Sequence, residues 1–399
     1  MASENILILG NGFDLYHGLP TRYTDFLTLV KNWNDFYEDM PPERELYWKE
    51  DYPGYVCPKI ELESNMLTSK DIKKFLEIDP VHYKYSNIER LNNEISNNIW
   101  IKYFVDSGYK KENWIDFEGE IEKVVLMVKH FYDTLPELYD KKIENSFDKE
   151  TLYIIEIFSD DSKGFPLEKS RSLLMDDINQ SRIDELKKKT IETMRTNLNG
   201  LIECLKLYFV EFVDKIKITL MTPVISKIDN PYVLNFNYTD FISRYSNVDA
   251  ESIHYIHGAI RDDTLEYNNM VLGINDENVN DNDFVYFFKY FQRIQKRTGN
   301  QYKHWEIKVE NGYVLAFKVY IFGHSLDAND KSILSYFLES RNVCKIAIFY
   351  HNQTAYEMQV INLIKMFGKD FVIENVSKNR IQFFSIQESE LSNLPLEIK

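Results

Sequence analysis

The first stretch that could do chemistry covers residues 6–14 and reads ILILGNGFD. Its four apolar residues end at Gly10, Asn11 and Gly12. A glycine at the end of a strand permits a tight turn. A second glycine lets the backbone approach a pyrophosphate, whose charge the amino end of the next helix stabilises. Leu15 occupies the third glycine position of a dinucleotide-binding G-x-G-x-x-G pattern, so a structural turn and a phosphate-binding turn both stay open.

Three later apolar runs also end in small or hydrogen-bonding residues. Asn237 follows the run YVLNF, His257 closes IHYIH, and His324 and Ser325 follow VYIFG. Each has an ordinary structural explanation, since asparagine satisfies backbone groups at strand ends and a single histidine there is more often structural than catalytic. Ligands of open parallel sheets bind outside the carboxyl ends of the strands, so we expect the four ends to meet at one crevice.

Acidic residues form a second group of candidates. Asp116, Glu118 and Glu120 lie in NWIDFEGEIE, where a carboxylate run is typical of the first turn of a helix. A contact with a metal ion or with a ribose is the functional alternative. Asn275 and Asp276 follow the apolar run VLGI, and we expect them to line the same crevice at a greater distance.

These residues need elements that position them. Short apolar runs alternate with helical patterns in the last part of the chain, which is typical of a parallel α/β sheet. The opening strand and a helix predicted over residues 21–32 are expected in the same sheet. The sequence therefore predicts an α/β fold with a Rossmann-like parallel sheet, formed by residues 1–35 and 225–399, and a mostly helical insertion over 36–224. Periodicity predicts further helices over residues 181–220, within the insertion, and over residues 281–296, 327–339 and 354–367, within the sheet domain.

Composition excludes several classes of protein. The chain has 399 residues and a formal net charge of −16, which disfavours nucleic acid and anionic membranes as partners. Cys57, Cys204 and Cys344 are far apart, and no Cys/His cluster has metal-ligand spacing, so neither a disulfide framework nor a bound metal is expected. No window reaches the roughly 20 apolar residues of a membrane span. We expect a cytoplasmic protein.

Six segments resemble, in this order, the AbiH-type abortive-infection family of bacterial antiphage proteins: LILGNGFDLYHGLPTRYTDF, NWIDFEGEIE, LNFNYTD, IHGAI, LGIND and FGHSLDANDKSIL. At a greater distance, the order of glycine turn, strand-end asparagine, His-Gly and Gly-x-Ser resembles sirtuin-like domains. That resemblance implies a sirtuin-like, Rossmann-like NAD pocket. Bacterial defence proteins of this type hydrolyse NAD to nicotinamide and ADP-ribose.

The resemblance also implies roles for individual residues. Asn237 matches the catalytic asparagine and His257 the catalytic histidine, which would serve as the general base. Thr239 stands where many sirtuin-like domains have an aspartate, and Asp240 follows one residue late, so the nicotinamide end of the pocket departs from the pattern. The NAD-binding candidates are Gly10, Asn11, Gly12, Phe13, Asp14, Arg22, Gly258, Gly323, His324 and Ser325.

Two other functions stay open. The same pocket could hold a nucleotide without cleaving it and thereby act as a sensor that controls assembly, either with further copies of the chain or with a partner defence protein. A nuclease effector is a third alternative, against which the net charge of −16 counts. Protein deacylation is disfavoured because the chain has no four-cysteine zinc module. Release of nicotinamide from NAD distinguishes an NAD hydrolase from a sensor.

Overall fold

The structure is a computed structural model. It describes residues 3–40, 59–64, 66–78, 83–107, 116–137, 146–159, 180–218, 220–260, 268–275, 279, 281–305, 309–310, 313–314 and 316–386. Its centre is a six-stranded, entirely parallel sheet. The sheet strands are β1 (Ser3–Leu9), β2 (Tyr232–Asn235), β3 (Ile253–Tyr255), β6 (Ala316–Phe322), β7 (Val343–Tyr350) and β8 (Ile381–Ser385). A separate antiparallel pair consists of β4 (Val309–Glu310) and β5 (Tyr313–Val314).

The order of the strands confirms the predicted fold class. Across the sheet they run β3-β2-β1-β6-β7-β8. Counted along the chain, these six strands have the order 3-2-1-4-5-6 of a Rossmann fold. The order reverses between β1 and β6, and such a switch point is where open α/β sheets bind ligands. The opening strand thus lies in the centre of the same sheet as the strands that precede Asn237, His257 and Gly323.

The register brings the strand ends to one level. Leu9 is opposite Asn235 on one side and Phe322 on the other. Gly10 N donates to Phe322 O at 3.0 Å, and Phe236 N donates to Leu9 O at 2.9 Å. The residues that follow β1, β2 and β6 therefore leave the sheet together.

The helices surround this sheet, and most of those before β2 form the helical segment of the chain. The first begins directly at the glycine turn, where the sequence predicted no helix. The α-helices are α1 (Asn11–Tyr16), α2 (Tyr23–Lys31), α3 (Trp33–Glu38), α4 (Ser69–Leu76), α5 (Tyr85–Asn97), α6 (Ile99–Ser107), α7 (Phe117–Thr134), α8 (Lys149–Phe158), α9 (Gln180–Glu211), α10 (Phe241–Tyr245), α11 (Lys289–Gln295), α12 (Tyr302–Trp305), α13 (Lys331–Leu338), α14 (Gln353–Phe367) and α15 (Lys369–Ser377). Short 3₁₀ helices are Leu135–Glu137, Val213–Lys215, Ile225–Lys227, Ala250–Ser252, Asn282–Phe287 and Ala328–Asp330.

Two hydrophobic layers cover the faces of the sheet. Alternation along β1 directs Ile6 and Ile8 to one layer, where α13, α14 and α15 pack. Leu7 and Leu9 point to the other layer, whose apolar core continues into α2, α7 and α9. The assignment of residues 36–224 to a separate domain stays a prediction. Within the described residues, no helix is long and apolar enough to cross a membrane.

Candidate functional site

The three glycines at the switch point are required by backbone packing. Gly12 N donates to Gly323 O at 2.8 Å. A Cβ atom on Gly10 would lie 2.5 Å from His324 Cα, and one on Gly12 would lie 2.8 Å from Gly323 Cα. Gly323 has φ +70°, and its added Cβ would lie 2.1 Å from Phe13 N. The turns after β1 and β6 thus touch backbone to backbone, which explains these glycines without any ligand.

Several NAD-binding candidates lie on the rim of this junction. The Asn11 side chain is exposed, and its Oδ1 accepts a hydrogen bond from Thr21 Oγ1 at 2.6 Å. Arg22 forms an ion pair with Asp25 at 3.5 Å. Ser325 is exposed. The contacts of Asn11 and Arg22 hold the loop after α1. The Ser325 side chain, in contrast, faces solvent.

Gly258 follows His257 with φ +79°, a conformation that favours glycine. A Cβ atom on Gly258 would lie 2.2 Å from Asn269 O. A backbone hydrogen bond holds the segments of Gly258 and Asn269 together, since Val271 N donates to His257 O at 2.9 Å. Gly258 therefore positions the turn that carries His257.

Asn237 belongs to a buried cluster with Asp14 and Thr239. Asn237 Nδ2 donates to Asp14 Oδ1 at 3.1 Å, and Thr239 Oγ1 donates to Asp14 Oδ2 at 2.7 Å. Asn235 Oδ1 accepts from Asn237 N at 3.0 Å and so fixes the turn after β2. Burial raises the pKa of Asp14 to about 7, although both hydrogen bonds favour the charged form. Asn237 Oδ1 is buried and has no hydrogen-bond partner among the described residues.

A second cluster surrounds Asp330, which precedes α13. Its carboxylate lies 3.7 Å from His257 Nε2, 3.6 Å from His324 Nε2 and 3.2 Å from Lys289 Nζ. Burial alone would raise the pKa of Asp330, but the Lys289 ammonium and both imidazoles hold it well below its ordinary value. Leu326 N donates to His324 Nδ1 at 2.9 Å, so the proton of neutral His324 is on Nε2, toward Asp330.

His257 is neutral and has one ring nitrogen available. Burial lowers the pKa of His257 to about 4. The Asp330 carboxylate favours the tautomer with the proton on Nε2, which leaves Nδ1 as an acceptor. Nδ1 is buried and has no hydrogen-bond partner within the ranges that the structure describes. The ring packs edge-on against Phe236, whose ring also contacts His324.

Of Asp116, Glu118 and Glu120, only Glu118 contacts the Asp330 cluster in the described part of the chain. Lys289 Nζ lies 2.8 Å from Glu118 Oε2. Burial raises the pKa of Glu118 to about 7, although Lys289 opposes the change. Asp116 caps α7 by accepting from Glu118 N at 3.0 Å, and Glu120 accepts from Tyr103 Oη at 3.0 Å. Asp116 and Glu120 therefore hold the helix.

Asn237 and His257 contact different carboxylates, Asp14 and Asp330. Phe236, which precedes Asn237 and contacts His257, connects the two clusters. Two cavities have volumes of about 630 and 650 Å³, and neither is lined by Gly12, Asn237, His257 or Ser325. The NAD-binding candidate Phe13 lines the first, and Lys318 lines the second. The convergence of Gly12, Asn237, His257 and Ser325 on one dinucleotide cavity stays a prediction.

The sequence analysis missed Lys289 and Asp330. Asp330 lies inside FGHSLDANDKSIL, where its neighbours drew attention instead, and Lys289 is a single cation in the aromatic run VYFFKYF. A lone lysine within an apolar run was the available signal, since a buried lysine needs a carboxylate partner. Asn275 is half-buried after VLGI, whereas Asp276 lies outside the described residues.

One comparison with known proteins identifies a family. The family model described as bacteriophage abortive infection AbiH matches residues 6–351. The match begins in β1, ends just after β7 and includes both carboxylate clusters. No curated protein and no solved structure matches the chain at a significant level. The chain belongs to the AbiH family of bacteriophage abortive-infection proteins.

Proposed function

We propose that this abortive-infection protein hydrolyses NAD to nicotinamide and ADP-ribose, in the cytoplasm, at the switch point between β1 and β6. The observation that carries the proposal is a pair of buried acceptors, Asn237 Oδ1 and His257 Nδ1, which have no hydrogen-bond partner among the described residues. They follow the neighbouring strands β2 and β3 at the carboxyl edge of the sheet, where Rossmann folds bind dinucleotides.

Unpaired buried acceptors favour a ligand that brings donors. Leaving such an atom unsatisfied costs about 1–3 kcal/mol, so a bound group with hydroxyl donors recovers that free energy. The hydroxyls of a ribose and a water molecule are donors of this kind, whereas a base edge rich in acceptors is not. A ribose held at Asn237, with a water held at His257, is the arrangement that these atoms support.

The reaction needs little more than positioning and one proton acceptor. The bond between C1′ of the ribose and the nicotinamide nitrogen breaks, and its electron pair stays on nicotinamide, which leaves as a neutral ring. The oxygen of a water molecule bonds to C1′ of the oxocarbenium-like centre and gives its proton to His257 Nδ1. Asp330 then lies beside the imidazolium formed and stabilises its charge.

The sequence departs from sirtuin-like domains at Thr239, and there the carboxylate of Asp14 supports the proposed role of Asn237. Thr239 occupies the position of their aspartate, and its hydroxyl donates to Asp14 at 2.7 Å. Asn237 donates to the same carboxylate at 3.1 Å. A carboxylate from the glycine turn thus lies beside the asparagine, and it holds the amide with its oxygen free for the substrate.

The test is nicotinamide release, measured by chromatography after incubation of the purified protein with NAD. In parallel, total NAD is measured in phage-infected cells that express either the wild-type protein or His257→Gln, because infection supplies any activating partner. We expect nicotinamide release or infection-dependent loss of NAD in the wild type and neither in His257→Gln. NAD binding by calorimetry with no turnover in either assay would favour the nucleotide sensor. Absence of both binding and turnover would refute the proposal.

A further inference from the structure

Helix α14 exposes an apolar stripe on the side away from the sheet. Met358, Ile361 and Ile364 are 48%, 43% and 40% exposed, and their spacing of three residues places them on one face. Leu363 and Met366 of the same helix are buried in the layer against the sheet. The stripe is therefore presented by a helix that is firmly packed on its other side.

Opposite charges lie at the two ends of this stripe. Glu357 and Lys365 are exposed, four residues before and four residues after Ile361. Gln353 Nε2 donates to Glu357 Oε1 at 2.9 Å, but in the described part of the chain neither Glu357 nor Lys365 forms an ion pair. They are about 12 Å apart along the axis, at a rise of about 1.5 Å per residue.

The pattern is symmetric about Ile361, apart from the sign of the charges. A two-fold axis through Ile361, perpendicular to the helix, superposes the position of Met358 on that of Ile364 and the position of Glu357 on that of Lys365. A two-fold interface must be self-complementary, and this face meets that requirement. When two copies pair in antiparallel fashion, apolar side chains meet apolar ones, and each Glu357 faces Lys365 of the second copy.

We propose that the exposed face of α14 is the interface of a homodimer with two-fold symmetry, in which Ile361 lies on the axis. The next helix, α15, also exposes two apolar side chains about one turn apart, Ile373 and Val376. The dimer also explains the pairing of an apolar centre with charged ends, since charges at the rim set the register of an interface whose core is apolar. This proposal does not depend on NAD cleavage.

Sedimentation velocity over a concentration series up to about 100 µM measures the dimer, with a dissociation constant expected in the micromolar range. Ile361→Asp places two carboxylates on the axis and should yield a monomer. Ile294→Asp is the matched control, because Ile294 is 73% exposed on α11, a helix that contributes no residue to the stripe, and its replacement should leave the dimer intact.

Charge reversal tests the orientation and the identity of the partner. Glu357→Lys alone, or Lys365→Glu alone, makes like charges face each other twice per dimer and should raise the dissociation constant about tenfold. The double variant recreates both opposite-charge pairs and should return to within about threefold of the wild type. A monomeric wild type, or singles that match the wild type, or a double variant no better than the singles, would each overturn the proposal.

Discussion

Asp14, which is buried, and Asp330, which is mostly buried, are two carboxylates whose pKa values shift in opposite directions. The partners of Asp14 are an amide and a hydroxyl, so burial dominates and its pKa rises to about 7. Asp330 faces the Lys289 ammonium, which keeps its pKa well below the ordinary value. Environments that move the pKa values of two carboxyl groups in opposite directions are typical of sites that handle protons. At neutral pH, Asp330 is ionised and Asp14 is near its midpoint.

The pKa of Asp14 predicts a pH-dependent stability. Its folded pKa of about 7 lies above the ordinary value of 3.8, so its contribution to the free energy of unfolding is complete below pH 3.8 and is lost as pH rises through 7. Asp14→Asn removes this titration. Relative to the wild type, the variant should gain about 3 kcal/mol between pH 5 and pH 8.5.

Urea denaturation at both pH values measures this gain. The buried His17, whose pKa burial lowers to about 4, titrates in both proteins and cancels in the comparison. Parallel stability profiles for the wild type and Asp14→Asn would show that Asp14 ionises normally.

We predict that Asn237 contributes directly to turnover, in addition to its hydrogen bond with Asp14. Under the proposed function, Asn237→Ala removes an oriented contact to the substrate, and turnover should fall about 10²–10³-fold. The side chain is buried and bonded to Asp14, so we also expect a loss of stability of about 1–2 kcal/mol. Nicotinamide release and a denaturation curve measure the two effects separately.

Two neighbouring variants serve as controls for Asn237. Thr239→Val removes the other hydrogen bond to Asp14 but leaves the Asn237 amide in place, so it should lower stability and retain most turnover. Asn235→Ala loosens the turn after β2 through two lost hydrogen bonds and should likewise affect stability more than turnover. Equal loss of turnover in Asn237→Ala and Thr239→Val would assign the effect to Asp14 instead.

At the scale of elements, the contact between the turns after β1 and β6 should be intolerant of a single methyl group. Gly323 and Gly368 both have positive φ, but an added Cβ meets Phe13 N at 2.1 Å at the first position and nothing within 4 Å at the second. Gly368→Ala should cost about 1–3 kcal/mol, because its φ of 82° and ψ of 156° lie in a region that is essentially restricted to glycine. Gly323→Ala should exceed about 4 kcal/mol or prevent folding.

Gly10→Ala separates crowding from backbone strain in the same contact. Gly10 has φ −116°, which other residues adopt readily, yet its Cβ would lie 2.5 Å from His324 Cα. We expect a loss of stability closer to that of Gly323→Ala than to that of Gly368→Ala, as measured by thermal denaturation of all three variants. If Gly10→Ala is as stable as the wild type, the two turns are looser than the structure shows.

The sequence predicted elements well where periodicity was long, and poorly where tertiary contacts overrode it. The helix predicted over residues 181–220 corresponds to α9, which ends at Glu211. The apolar runs became parallel strands except VLGI, where Ile274 forms only an isolated bridge with Phe288. Helix α1 was missed because its sequence NGFDLY contains glycine, asparagine and aspartate, which are poor helix formers, and burial of Phe13 stabilises it instead. The helix predicted over 281–296 is interrupted at Phe288, because Lys289 N donates to Ile274 O at 2.9 Å.

At the scale of the whole molecule, the helical segment and the sheet should unfold together. Leu7 and Leu9 of β1 share one apolar core with Phe117 of α7 and Tyr208 of α9. Lys289 and Glu118 join the same two parts by an ion pair at 2.8 Å. We expect one calorimetric transition that coincides with the loss of far-ultraviolet circular dichroism. Two resolved transitions would instead show that residues 36–224 form an independent domain.

The sequence by itself determined the parallel α/β sheet, the polar ends of its strands and the abortive-infection family, because apolar periodicity and short motifs are local properties of the chain. Tertiary structure decided which side chains meet. Lys289 and Asp330 enter the site through contacts with Glu118, His257 and His324, whose positions along the chain carry no sign of proximity. Burial and charge pairing also set the pKa of each group, and both depend on packing between segments distant in sequence.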